Sequence, residues 1–118
     1  MVRFIGIAMV RTLDGSDSRK LPLAIDYERL AELCRRWRVA QLSLFGSVLR
    51  LDVRPDSDVD VLLTFSPDAR WTLLDITRLQ DELALILGRS VDVVEEKSLK
   101  NPFRRREILR TRQVLYAA

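Results

Sequence analysis

One stretch constrains the fold of this chain more than any other. Residues 71–87 place Leu73, Ile76, Leu79, Leu83 and Ile86 at three- and four-residue spacing and stop at Gly88, the pattern of an amphipathic helix. Two short strand-like runs flank it. Before it, Val59, Val61 and Leu63 alternate with Asp58, Asp60 and Leu62; after it come Val91, Val93 and Val94. A helix of that length between two strands suits a crossover joining parallel neighbours, since a hairpin needs only a few residues. Parallel neighbours begin at the same edge of a sheet. Asp60 and Asp92, each near the start of its strand, are therefore expected side by side, with Asp58 on the same face as Asp60 about 6.6 Å away along the backbone.

The remaining elements follow from the same reading. Asp26 is placed to cap a helix over about 27–37, whose apolar stripe is Tyr27, Leu30, Cys34 and Trp37. Leu42 and Leu44 belong to a strand running into Gly46, followed by a helical turn near 47–52. Pro102 opens a helix over about 102–111, and Val114–Tyr116 forms a last strand. The alternation of helices and strands gives an α/β domain with a mixed sheet and flanking helices, over residues 25–118. Residues 1–24 read as an N-terminal extension: an apolar run from Phe4 to Val10, a turn at Asp14-Gly15-Ser16 and a stop at Pro22. Arg3 before that run has the flavour of a signal peptide, but no small-residue cleavage site follows it, and the expected location is cytoplasmic. At 118 residues there is room for one domain with a radius of gyration of roughly 13–14 Å. The apolar runs fall far short of the roughly 20 residues a membrane crossing needs.

Histidine is absent and Cys34 is the single cysteine. Ser-His-Asp and Cys-His catalysis and Cys/His zinc sites cannot be built from this chain, so any metal chemistry must use carboxylates and hard cations. Cys34 itself fits core packing in a reducing compartment.

Charge is unevenly spread. The net charge is +3, yet residues 56–88 carry seven acidic and two basic groups. Asp68, Asp75, Asp81 and Glu82 read as a solvated helical face. Asp58 and Asp60 stand apart on a strand, where they can converge with Asp92 on one or two cations; a purely structural role would require a partner such as Arg50 or Arg54. Asp56, Asp58 and Asp60 match the first ligands of an EF-hand loop, but Val61 stands where that loop needs Gly and Pro67 where it needs Glu. The loop Gly46-Ser47 at the end of the preceding strand allows close backbone approach, and a helical turn after it offers N–H groups to phosphate.

Leu44-Phe45-Gly46-Ser47, ten residues, then Asp58-Val59-Asp60 resembles the signature of the nucleotidyltransferase superfamily that includes DNA polymerase β. The string Gly46 to Arg50, then Arg54 to Asp60, is similar to the minimal nucleotidyltransferases of bacteria and archaea, and Val91-Asp92-Val93-Val94 is similar to their third acidic strand. Lys100-Asn101-Pro102 before a basic helix resembles their C-terminal segment. The chain departs from the pattern at Val48, where the family often has Arg, which leaves Arg50 as the nearer cation.

The resemblance implies a polymerase β-like fold and transfer of a nucleoside monophosphate from a triphosphate, ATP above all, to a hydroxyl. Asp58, Asp60 and Asp92 would then be the catalytic residues and the ligands of two Mg²⁺ ions, with Gly46, Ser47 and Arg50 binding the nucleotide. It further implies an antitoxin that adenylylates a tyrosine of a helical HEPN-type RNase partner. A nonenzymatic antitoxin acting by binding alone, and transfer to RNA or a small molecule, are the alternatives. Residues 97–112 hold seven basic groups and one acid, a surface for an acidic protein in preference to nucleic acid. Trp37 and Trp71 read as packing residues.

Overall fold

The computed structural model describes residues 25–49 and 58–118. Within them lie helix α1 (Tyr27–Arg36), strand β1 (Val39–Phe45), a 3₁₀ turn (Gly46–Leu49), strand β2 (Val59–Phe65), helix α2 (Leu73–Leu87), strand β3 (Val91–Glu95), helix α3 (Pro102–Thr111) and strand β4 (Gln113–Ala117). The expected extension over residues 1–24 lies outside the described residues, as do Arg50 and Arg54.

Local chemistry sets the helix limits. Asp26 accepts from the Arg29 N–H at the start of α1. For α2, Thr72 accepts from the Asp75 N–H while the Asp75 carboxylate accepts from the Thr72 N–H, so the helix begins at Leu73 and not at residue 71. Gly88, at φ +71°, ends it. Asn101 caps α3 ahead of Pro102 at its first position.

The four strands form one mixed sheet in the order β3-β2-β1-β4. β1 is antiparallel to both β2 and β4, and β2 is parallel to β3, as the crossover length requires. Strand alternation sends neighbouring residues to opposite faces. Leu42, Leu44, Val59, Val61 and Leu63 face α1 and α2 and meet Leu30, Leu33, Cys34, Leu79, Leu83 and Leu87 in the main core. Phe45 and Leu62 face the other way and pack with Leu99 and Ile108 beneath α3. The radius of gyration is 13.6 Å. Among the described residues, no helix is long and apolar enough to cross a membrane.

Two expected core positions are exposed. Tyr27 is half-exposed, with Leu33 taking the buried place on α1, and Leu73 is 84% exposed. Each is the first residue of its helix. Trp37 and Trp71 stack edge to face at 4.8 Å, and the Trp71 indole N–H donates to the Trp37 carbonyl, which pins the start of the crossover to the end of α1.

Candidate active site

The parallel register pairs Asp60 of β2 directly with Asp92 of β3. The strands stand about 4.8 Å apart there, and both side chains leave the face that carries Leu62, Val94 and α3. Asp58 sits just before β2, anchored by the next residue, whose N–H donates to the Ser90 carbonyl at 2.8 Å. Asp58 and Asp92 are exposed and Asp60 is half-buried. The three acids thus share one sheet edge, as expected. Their side chains do not close on one point: among the described residues, no three carboxylates, thiols or imidazoles stand close enough together to hold a metal ion. Like charges repel, and a cation would have to draw them in.

The Gly46 turn enters from the neighbouring strand. Phe45, the last residue of β1, pairs with Asp60, so Gly46 arrives beside that carboxylate. Its φ is +76°, and a Cβ built on it would collide with the Asp60 Oδ2 and lie 3.3 Å from Cγ. Only glycine both adopts this backbone and leaves the acid its place. Two residues on, Val48 is 1% exposed and inserted in the main core. Its buried apolar side chain ties the turn to the core and is not available to a phosphate. Ser47 belongs to the turn by its backbone; its side chain, and all of Arg50, fall outside what is described.

Sequence reading overlooked Glu96. Its carboxylate accepts from the Thr64 hydroxyl at 2.6 Å and pairs with Arg105 at 3.0 Å and Arg112 at 3.8 Å, joining the end of β3 to both ends of α3. The Thr64 hydrogen bond first, then the Arg105 and Arg112 charges, outweigh burial and hold its pKa below the ordinary glutamate value. No local pattern could have revealed it, because its partners lie 9, 16 and 32 residues away. The same geometry trims the basic surface. Lys97 pairs with Glu95, Arg110 with Glu107, and Arg105 and Arg112 with Glu96, leaving Lys100, Arg104 and Arg106 exposed without an ion pair to another described residue.

A cavity of about 500 Å³ opens at the opposite ends of β2 and β3, lined by Thr64, Arg70, Trp71, Glu96 and Lys97 among others. Glu96 is already committed to its three partners, so the acidic constellation belongs to the other edge.

Known proteins share the sequence and the fold of this chain. The family model described as "Nucleotidyltransferase domain" matches residues 28–115. The protein adenylyltransferase MntA of Thermococcus cleftensis is 39% identical over 70 residues, 59% of this chain and 69% of that protein. A solved structure provisionally described as a minimal nucleotidyltransferase is 39% identical, with a TM-score of 0.59 over 75% of this chain and 85% of the other. A toxin–antitoxin structure with AMP-PNP superimposes at a TM-score of 0.62 over 80% of this chain and 75% of that one, at 19% identity. An AMPylated HEPN toxin of Shewanella oneidensis in complex with its MNT antitoxin gives 0.55 over 78% and 70%, also at 19% identity, so these two likenesses concern the fold. With its glycine turn, its paired strand-edge aspartates and a family match over most of its length, this chain belongs to the nucleotidyltransferase domain family.

Proposed function

We propose that the protein is a Mg²⁺-dependent protein adenylyltransferase, moving AMP from ATP to a tyrosine hydroxyl of a helical HEPN-type RNase toxin and acting as its antitoxin in the cytoplasm. The observation that carries this reading is the register pairing of Asp60 with Asp92 beside a glycine that the Asp60 carboxylate requires. The names of the relatives supply the acceptor class.

The donor set fits the ion: three carboxylates and no softer ligand, on one edge, with Gly46 keeping the Asp60 carboxylate in its place. Asp58, Asp60 and Asp92 would hold Mg²⁺, which when bound neutralises triphosphate charge and makes the attacking hydroxyl more acidic. Gly46 and Ser47, in the turn beside Asp60, would position the β- and γ-phosphates. Arg50 is assigned to the phosphate charge. Asp92, exposed at the rim, would accept the proton of the incoming tyrosine. Its oxygen forms the new bond to the α-phosphorus as the bond to pyrophosphate breaks.

The test is incubation with α-labelled ATP and Mg²⁺ of the chain alone, the chain with the helical protein encoded beside it, and the chain with bulk RNA. Label on a tyrosine of the neighbour is the expected result. Label on RNA or a small molecule with the neighbour bare would overturn the acceptor while leaving nucleotidyl transfer in place.

A further inference from the structure

The outer face of α2 carries an arrangement that the acid edge does not use. Leu74 is 62% exposed and Leu85 75% exposed, and both lie on the solvent side of a helix whose inner side is Leu79, Leu83 and Leu87. Between them, at spacings of four, three and four, stand Arg78 and Asp81, both exposed and neither making an ion pair with another described residue. Surface leucines taken singly need no explanation. These four residues, however, form one stripe with the 4-3-4 repeat of a helix–helix seam, and the stripe reads the same in both directions: Leu, charge, opposite charge, Leu.

We infer that α2 is a self-association surface and that its occupant is α2 of a second copy of this chain, packed antiparallel about a two-fold axis passing between Arg78 and Asp81. Antiparallel seams set each position of one helix against its mirror position on the other. Leu74 then meets Leu85 of the second copy at both ends, and Arg78 meets Asp81 twice at the centre. A two-fold interface must be self-complementary, and this stripe satisfies that in shape and in charge. A parallel pairing would instead set Arg78 against Arg78 and Asp81 against Asp81. The two leucines lie about 16 Å apart on the helix, so the contact is short, and a weak, reversible dimer is the expected product. α2 ends at the loop leading to the acid edge, and α3 lies on the other face of the sheet. Antiparallel pairing therefore points the two acid edges to opposite ends of the dimer and leaves both α3 helices open.

The test is sedimentation of the whole chain from about 10 µM to about 1 mM at low salt. The average mass should climb from the 13.7 kDa of one chain towards twice that value. Leu85→Arg should weaken association at least about tenfold, with circular dichroism unchanged because the side chain is on the surface. Arg78→Asp alone and Asp81→Arg alone should each weaken it by setting like charges face to face, and the double variant Arg78→Asp/Asp81→Arg should restore it. A monomer across the whole range would overturn the proposal. So would association indifferent to these changes, or a double variant as weak as the singles. If the chain stays monomeric while Leu85→Arg abolishes binding of a helical partner, the face belongs to that partner and the dimer is refuted.

Discussion

A methyl group added at Gly46 would meet both an unfavourable backbone angle and the Asp60 carboxylate, so Gly46→Ala is expected to strain the turn and displace the acid together. Stability should fall by roughly 1–3 kcal/mol, read as a lower melting temperature, with transfer lost as well. Asp60→Asn separates the two effects. It keeps the volume and removes the charge, so nucleotidyl transfer should drop by at least about 100-fold, followed as pyrophosphate release, with the melting temperature little changed. Activity retained in excess Mg²⁺ would sink the assignment of Asp60 as a metal ligand. Cys34 is buried, and burial pushes its thiol above the ordinary range, so alkylating reagents should leave it untouched in the folded protein.

The elements are tied together by contacts of long sequence separation, and Glu96 is the clearest of them. Replacing it by Gln keeps a hydrogen-bond acceptor for Thr64 but removes the charge that draws Arg105 and Arg112 onto the sheet. The loss should be about 1–2 kcal/mol at neutral pH. Because the folded protein holds this carboxyl below its ordinary value of about 4.3, its contribution is complete above that value and is lost as pH falls through the depressed one. Denaturation curves of the two proteins should therefore converge on acidification below about pH 4. Curves that stay parallel would show that the charge of Glu96 does not stabilise α3. At the β3 edge, Gln80 of α2 folds over and accepts from the Val93 N–H at 3.1 Å, which covers a group that an exposed edge would offer to another strand.

For the molecule as a whole, the described residues hold the edge proposed for the nucleotide and no second lobe to orient an acceptor. Correct orientation is worth roughly 7–11 kcal/mol of barrier, so transfer by the chain alone to water or free amino acids should be negligible, and the partner should raise it by orders of magnitude. Equal turnover with and without the partner would refute this division of labour. Around the start of α3, Lys100, Arg104 and Arg106 are exposed and make no ion pair with another described residue, and docking through them should weaken as salt rises. Protection of cells by Asp58→Asn or Asp92→Asn variants would show that binding suffices; sharp loss of protection is expected, since a covalent mark outlasts dissociation.

Much of this was legible in the order of residues. Periodicity placed α1, α2 and the strands because a helix buries every third or fourth residue and a strand every second, and the chemistry of Asp26 and Pro102, which marked the starts of α1 and α3, acts within one turn. The string from Leu44 to Asp60, with Val91-Asp92 after it, carried the resemblance to nucleotidyltransferases, while the crossover length alone put Asp60 beside Asp92, because a long connection suits parallel pairing. Tertiary structure alone decided what depends on position in the packed molecule. It exposed Tyr27 and Leu73, the first residues of their helices. It turned Val48 inward, gathered Glu96, Arg105, Arg112 and Thr64 from distant parts of the chain, and left the α2 stripe facing solvent. Local sequence sets which face of an element is apolar, but only the assembled layers determine whether anything lies against that face.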